Sequence, residues 1–237
     1  MIAGILWDRI GDTGPRFEIA EIHGDRLVRT HIQTGYRDCI DLPEIHIAEG
    51  VIVDDPLFTV RTITLDHGTP VQAYAFESKA KLTVDKNALK TLDLGTGPWL
   101  NQLKRLINAG DNKAEICLPD NSRWEADELA ARLLNVTPGE KLVYATDLAD
   151  TEANRTALIA LAHKVDFFFC EASFVEADVE QAKRTGHLTA RACGEIATAA
   201  DVKQVVPFHF SRRYETKPEA VYREISEVCS RVIRPKN

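Results

Sequence analysis

The sequence predicts an α/β fold, and three observations carry that prediction. From Lys141 onward, strand-like segments alternate with amphipathic helical ones, the pattern of a sheet layered against helices. The first third alternates apolar and charged residues with a period of two, as half-buried strands do. The chain has 237 residues, 44% hydrophobic and 27% charged, which is a globular composition and enough length to bury a core without disulfides.

Residues 16–22 and 58–65 read as strands, with Gly11, Gly14, Pro15, Gly24, Gly35, Pro43 and Pro56 marking turns around and between them. Residues 71–76 follow a Gly68-Thr-Pro70 turn, so 58–77 reads as two strands bracketing a loop that carries His67. Residues 84–92 have helical spacing with Asp85 as N-cap, and 98–107 read as a second short helix after Gly95-Thr-Gly97. Together they mark a small helical insertion, 78–113, in a single domain spanning 1–237. Beyond it the pattern gives strand 141–146, helix 152–164, strand 165–170, helices 175–184 and 188–200, strand 203–208 and a C-terminal helix near 218–232. No internal repeat or low-complexity tract interrupts this order.

Composition excludes several functions. No apolar run reaches the roughly 18 residues that span a bilayer, and Asp8 and Arg9 come too early for a signal peptide, so no membrane association and a cytoplasmic location are expected. Lys and Arg number 29 against 36 Asp and Glu, a net charge of −7 that argues against a general nucleic-acid coat while leaving room for a local basic patch. Lys79, Lys81, Lys86, Lys90, Lys104 and Arg105 gather in and around the insertion and read as solvated helix surfaces balancing an acidic protein, with a phosphate-contacting face as the alternative. The five cysteines are scattered, with no C-x-x-C pair, as expected of reduced thiols rather than a disulfide framework or a zinc finger.

Reactive groups in an α/β layer gather at the carboxyl ends of strands. Strand 58–65 runs into Asp66 and His67, strand 141–146 into Asp147, strand 165–170 into Glu171 and strand 203–208 into His209, while His187 opens a helix after Gly186. Each is a metal ligand or a proton-transfer group. Each also has a plainer reading: Asp147 as the cap of the next helix, His187 as a helix-start residue, His67 as a satisfied turn histidine.

Leu65-Asp-His-Gly-Thr-Pro-Val-Gln-Ala-Tyr-Ala-Phe76, Tyr144-Ala-Thr-Asp147, Cys170-Glu-Ala-Ser-Phe174, Gly186-His-Leu-Thr-Ala190 and Phe208-His-Phe-Ser-Arg-Arg-Tyr214 occur in that order. With Leu94-Gly-Thr-Gly-Pro-Trp-Leu-Asn-Gln-Leu-Lys104, they resemble the motifs of ribonuclease Z and its relatives in the metallo-β-lactamase superfamily. The resemblance covers roughly residues 58–214 and implies a partial metallo-β-lactamase fold, an αββα sandwich with a small helical insertion. The family's His-x-His-x-Asp-His signature is absent, the bridging aspartate's Gly-Asp-Thr is Thr146-Asp147-Leu148, and the leading His of the glutamate segment is Cys170. The chain is therefore expected to correspond to the C-terminal part of the family fold.

The resemblance implies two zinc ions in the intact fold, His67 binding one, His209 the other and Asp147 both, with weak or partial binding expected in this chain. It implies catalytic parts for Glu171 and His187, the latter as proton donor to the leaving oxygen, and puts Arg212 and Arg213 beside a substrate phosphate. The implied function is a zinc-dependent phosphodiesterase of the tRNA 3'-end endonuclease class acting on RNA such as precursor tRNA, incomplete or inactive as an isolated chain. A metallo-hydrolase acting on another substrate stands as an alternative. So does a non-catalytic module that pairs with a chain supplying the missing half. A homodimer, or a pair with that other chain, is the expected assembly.

Overall fold

The computed structural model describes residues 14–33 and 39–234; the opening residues with Asp8 and Arg9, and the turn expected at Gly35, lie outside them. The chain divides into two compact units, one of residues 1–77 with 141–237, the other Ser78–Glu140.

The first unit opens with an antiparallel three-stranded sheet of β1 (Arg16–His23), β2 (Arg26–Gln33) and β3 (Cys39–His46). Gly24 turns β1 into β2 at φ 63°, a backbone region that side chains disfavour. After β4 (Val51–Asp54), β5 (Phe58–Asp66) and β6 (Pro70–Ser78) form the expected hairpin around His67.

The chain then enters the second unit. This contains β7 (Lys81–Val84), α1 (Lys86–Thr91), α2 (Pro98–Ala109), β8 (Glu115–Cys117), β9 (Arg123–Glu125), α3 (Ala126–Leu133) and β10 (Leu134–Thr137). Asp85 caps α1 as its sequence suggests, accepting from the amides of Asn87 and Ala88. Trp99, Leu103, Ile116, Leu129 and Leu133 pack into a core separate from that of the first unit. The compact unit thus runs to Glu140, beyond the 78–113 read from sequence. Pairing of β7 with β10 joins its two ends, with Val84 opposite Leu134 and Lys81 opposite Thr137. For that reason residues 81–84 are strand and the helix starts only at Lys86.

Returning to the first unit, the chain forms β11 (Lys141–Ala145), α4 (Glu152–Leu161), β12 (Phe167–Glu171), α5 (Val179–Thr185), α6 (Ala190–Ala199), β13 (Gln204–Phe208) and α7 (Glu219–Val228). The main sheet has the order β13-β12-β11-β6-β5-β4. Strands β11, β12 and β13 are parallel, and β6 runs antiparallel to β11. As the partner of β6 in a hairpin, β5 runs the same way as those three, so the carboxyl ends of β5, β11, β12 and β13 share one edge.

One face of this sheet carries the core. Leu65, Ala73, Val143, Ala145, Phe168, Cys170 and Val205 are buried together with Leu158 of α4, Ile196 of α6 and Ile225 of α7. The alternate residues form rows across the other face, Phe76, Leu142 and Phe167 in one, Tyr74, Tyr144, Phe169 and Val206 in the next. None of these seven belongs to that core, and Tyr74 and Tyr144 are exposed. Both faces are apolar, the pattern of strands that are covered on two sides.

Beyond the helix read as 152–164, which ends at Leu161, and the strand read from 165, which starts at Phe167, three boundaries differ from the sequence reading in ways that bear on the site or the sheet. Residues 176–178 form a 3-10 turn and α5 starts at Val179; Thr189 caps α6, leaving His187 in the loop before it; and α7 stops at Val228. The last follows from tertiary pairing: the Val205 amide donates to the Arg231 carbonyl, and the Ile233 amide donates to the Val205 carbonyl. That contact pulls residues the periodicity assigns to helix into an extended path.

Candidate metal centre

Asp147, Glu171, His187 and His209 converge at the carboxyl edge of the main sheet, each offering a ligand atom within 4.8 Å of the others'. Asp147 and His209 follow their strands in the left-handed region, at φ 55° and 57°. Asp and His occupy that region more readily than most residues, though it still costs roughly 1–3 kcal/mol each. Asp147 is not the cap of α4; that task falls to Thr151, whose hydroxyl accepts from the Asn154 amide. His209 Nε2 lies 3.2 Å from Asp147 Oδ1, and both side chains are about two-fifths exposed.

Glu171 is fully buried and its carboxylate accepts three hydrogen bonds. Oε1 accepts from the Leu188 amide at 2.8 Å, while Oε2 accepts from the Asp147 amide at 2.9 Å and from His187 Nδ1 at 3.0 Å. One carboxylate thereby holds the loops bearing Asp147 and His187. Since it can only accept, His187 carries its proton on Nδ1 and keeps Nε2 for the cleft. The Glu171 bond raises the His187 pKa above its ordinary value, against the lowering effect of burial.

His67 stands at the margin, its ring 4.8 Å from that of His187 and outside the four-residue group. Its Nδ1 donates to the Gly186 carbonyl at 2.8 Å, which likewise leaves Nε2 as the basic nitrogen. Gly186 has φ 74°, and a Cβ there would meet His67 Nδ1 at 3.0 Å. Gly186→Ala should therefore destabilise the protein by about 1–2 kcal/mol from the left-handed backbone alone, and should displace the His67 ring. Urea unfolding and the His67 imidazole resonances check the two effects separately.

Between these loops lies a cavity of about 200 Å³ lined by Ser173, Phe174, Thr185, His187, His209, Phe210 and Ser211. Sequence reasoning singled out neither Ser173 nor Gly186. Ser173 is buried and its hydroxyl donates to the His209 carbonyl at 2.8 Å, holding the strained ligand loop. Only its place in the Cys170–Phe174 motif hinted at it. The two arginines expected at a phosphate separate: Arg212 is exposed, whereas Arg213 pairs with Asp178 at 2.9 Å and lies over the Phe174 ring at 5.7 Å. Tyr214 also donates to Asp178, beside the Arg213 ion pair.

The donor set fits a divalent metal. Half-exposed carboxylate and imidazole groups stand close together, and the imidazoles of His67 and His187 have their second nitrogens anchored, as ligating histidines do. Residues 115–210 match the beta-lactamase superfamily domain. Ribonuclease Z from Deinococcus radiodurans is 34% identical over 176 residues, covering 74% of this chain and 50% of the relative. Ribonuclease Z from Brevibacillus brevis is 32% identical over 170 residues, covering 71% and 49%.

The chain is ribonuclease Z-like, with a beta-lactamase superfamily domain at residues 115–210.

It spans about half the length of the curated relatives it matches. Among solved structures, this ribonuclease Z-like chain is similar to a metallo-beta-lactamase fold protein from Bacillus subtilis, at a TM-score of 0.44, with 13% identity over 77% of this chain and 47% of that one. It is also similar to the short form of human tRNase Z, at 0.40, with 18% identity over 70% and 42%. No helix of the described residues is long and apolar enough to cross a membrane.

Proposed function

We propose that this chain is the metal-binding, carboxyl-edge part of a zinc-dependent phosphodiesterase acting on RNA such as precursor tRNA. The convergence of Asp147, His187, Glu171 and His209 is the observation that carries this reading. Asp147 and His209 would hold the metal, with His67 completing a ligand set on the His187 side. Bound zinc would supply Lewis-acid stabilisation of the phosphoryl oxygens. His187, oriented by Glu171, would give a proton to the leaving oxygen through Nε2. Glu171 is then a positioning residue, because every bond it makes is directed beneath the cleft. Arg212 remains the better candidate for a substrate phosphate.

A second reading concerns assembly and rests on the partly exposed apolar face of the main sheet. The rows of Phe76, Leu142, Phe167, Tyr74, Tyr144, Phe169 and Val206 end next to Asp147 and His209, so polypeptide packed on them would abut the metal ligands. Tyr74 and Tyr144 are exposed and the other five half-buried, so this face keeps apolar surface that a partner could cover. We infer that it receives a second layer carrying further ligands, and that the chain alone is a poor nuclease.

The test is cleavage of a 3'-extended precursor tRNA by the chain alone and after co-expression with a polypeptide carrying a His-x-His-x-Asp-His segment. Little cleavage alone, restoration by the second polypeptide and loss of that restoration on Tyr144→Glu are expected. Full activity alone would overturn the assembly reading. Hydrolysis of bis(p-nitrophenyl) phosphate without RNA cleavage would overturn the RNA assignment.

A further inference from the structure

Asn154 is buried at 4% exposure on the first turn of α4, and its side chain makes three hydrogen bonds, all to two backbone segments. Its Oδ1 accepts from the Asp66 amide at 3.0 Å. Its Nδ2 donates to the carbonyls of Asp66 and Ala149, both at 2.8 Å. The Ala149 amide also donates to the Asp66 carbonyl at 2.8 Å. Asp66 immediately precedes His67, and Ala149 lies two residues beyond Asp147. At Asp66, the last residue of β5, one side-chain amide thus bonds both the backbone amide and the carbonyl, the carbonyl being shared with the Ala149 amide. It does so across 88 residues of sequence.

We propose that Asn154 is a positioning residue of the metal centre, setting the separation between the His67 hairpin and the Asp147 loop. The inference rests on the metal-binding reading above and names a determinant that the reading does not contain. Three features argue for this part over simple packing. The contacts are to backbone, so they fix where the chain runs rather than fill space. Both clasped segments bear candidate ligands. The amide sits on a helix whose start is itself pinned, Thr151 Oγ1 accepting from the Asn154 amide at 3.1 Å. No other side chain of comparable size supplies one acceptor and two donors in this fork. Aspartate keeps the acceptor for the Asp66 amide but turns an oxygen toward two carbonyl oxygens, and alanine leaves all three backbone partners without the side chain.

The experiment compares wild type, Asn154→Asp, Asn154→Ala and, as a control, Ile225→Ala in the buried face of α7. Zinc affinity is measured by chelator competition, the His67 imidazole signals by NMR of the metal-free protein, and stability by urea unfolding. The Asn154 variants should lose about 10–100-fold in zinc affinity, the range for residues that orient ligands, and should shift the His67 signals. Ile225→Ala should lower stability while leaving both readouts in place. Zinc affinity and His67 signals unchanged in the Asn154 variants would overturn the proposal, as would an equal affinity loss in Ile225→Ala. If wild type binds no zinc, the metal reading falls, and the His67 signals alone decide: movement in the Asn154 variants supports the clamp, and their constancy refutes it.

Discussion

Asp147→Asn is expected to abolish divalent-metal binding while leaving the fold intact. Asparagine tolerates φ 55° about as well as aspartate does, so the strained turn survives the exchange. The ion pair lost with His209 is half-exposed and contributes little to stability. What disappears is the charged donor at the centre of the cluster. Removing a ligand should cost more than the loss of an orienting partner, so the affinity should fall by at least about 100-fold. Zinc content after dialysis, chelator competition and a urea melt check the three parts together. Wild-type affinity in Asp147→Asn would remove this residue from the site. A melt shifted by several kcal/mol would show that its carboxylate is structural.

Glu171→Leu is expected to have the largest effect on folding of any substitution in the cleft. It strips three donors at once, the amides of Asp147 and Leu188 and the Nδ1 of His187, in a place with no solvent to replace the lost acceptor. Breaking a buried charged pair of this kind costs about 3–5 kcal/mol, enough to unfold a marginal domain. Glu171→Gln keeps the volume and one carbonyl oxygen, so it should fold with a smaller loss and serve as the informative variant. Its signature is in the pH dependence of the metal-free protein. Because Glu171 raises the His187 pKa, the folded protein holds that proton more tightly than the unfolded chain does. The stabilisation is fully present below 6.5, the ordinary value for a histidine in the unfolded chain, and is lost as pH rises through the raised folded value. Urea unfolding across that window should show stability falling with pH in wild type and a flatter profile in Glu171→Gln; identical profiles would mean that the pair is not coupled.

Several elements could be read from residue order because their physics is local. The alternation in 58–65 and 71–76 and the Gly68-Thr-Pro70 turn specify the β5–β6 hairpin, and Asp85 announces the start of α1 by its capping bonds. Local pattern fails where a distant partner wins. Residues 81–84 are strand only because 134–137 lie opposite, and 229–232 leave the helix because β13 takes up Arg231 and Ile233. The continuous apolar run Phe167-Phe-Phe-Cys170 is a strand with two apolar faces, but which face the helices cover depends on where α4, α6 and α7 pack.

The candidate site divides in the same way. By itself the sequence determined which reactive residues follow which strands, since the strands' periodicity and the identity of the next residue are both local facts. On this basis His67, Asp147, Glu171 and His209 could be named, with His187 from a helix start, and the structure groups the last four while leaving His67 at their margin. Only the tertiary structure decided what each side chain has left to offer. Glu171 has three acceptor positions taken, Arg213 is paired with Asp178, His67 has its Nδ1 bound to the Gly186 carbonyl, and Asn154 links the Ala149 loop to Asp66, which lies 88 residues before Asn154. The physical reason is that a side chain's type sets the hydrogen bonds it can make, whereas strand order and loop path set which partners come within the roughly 3 Å needed to make them.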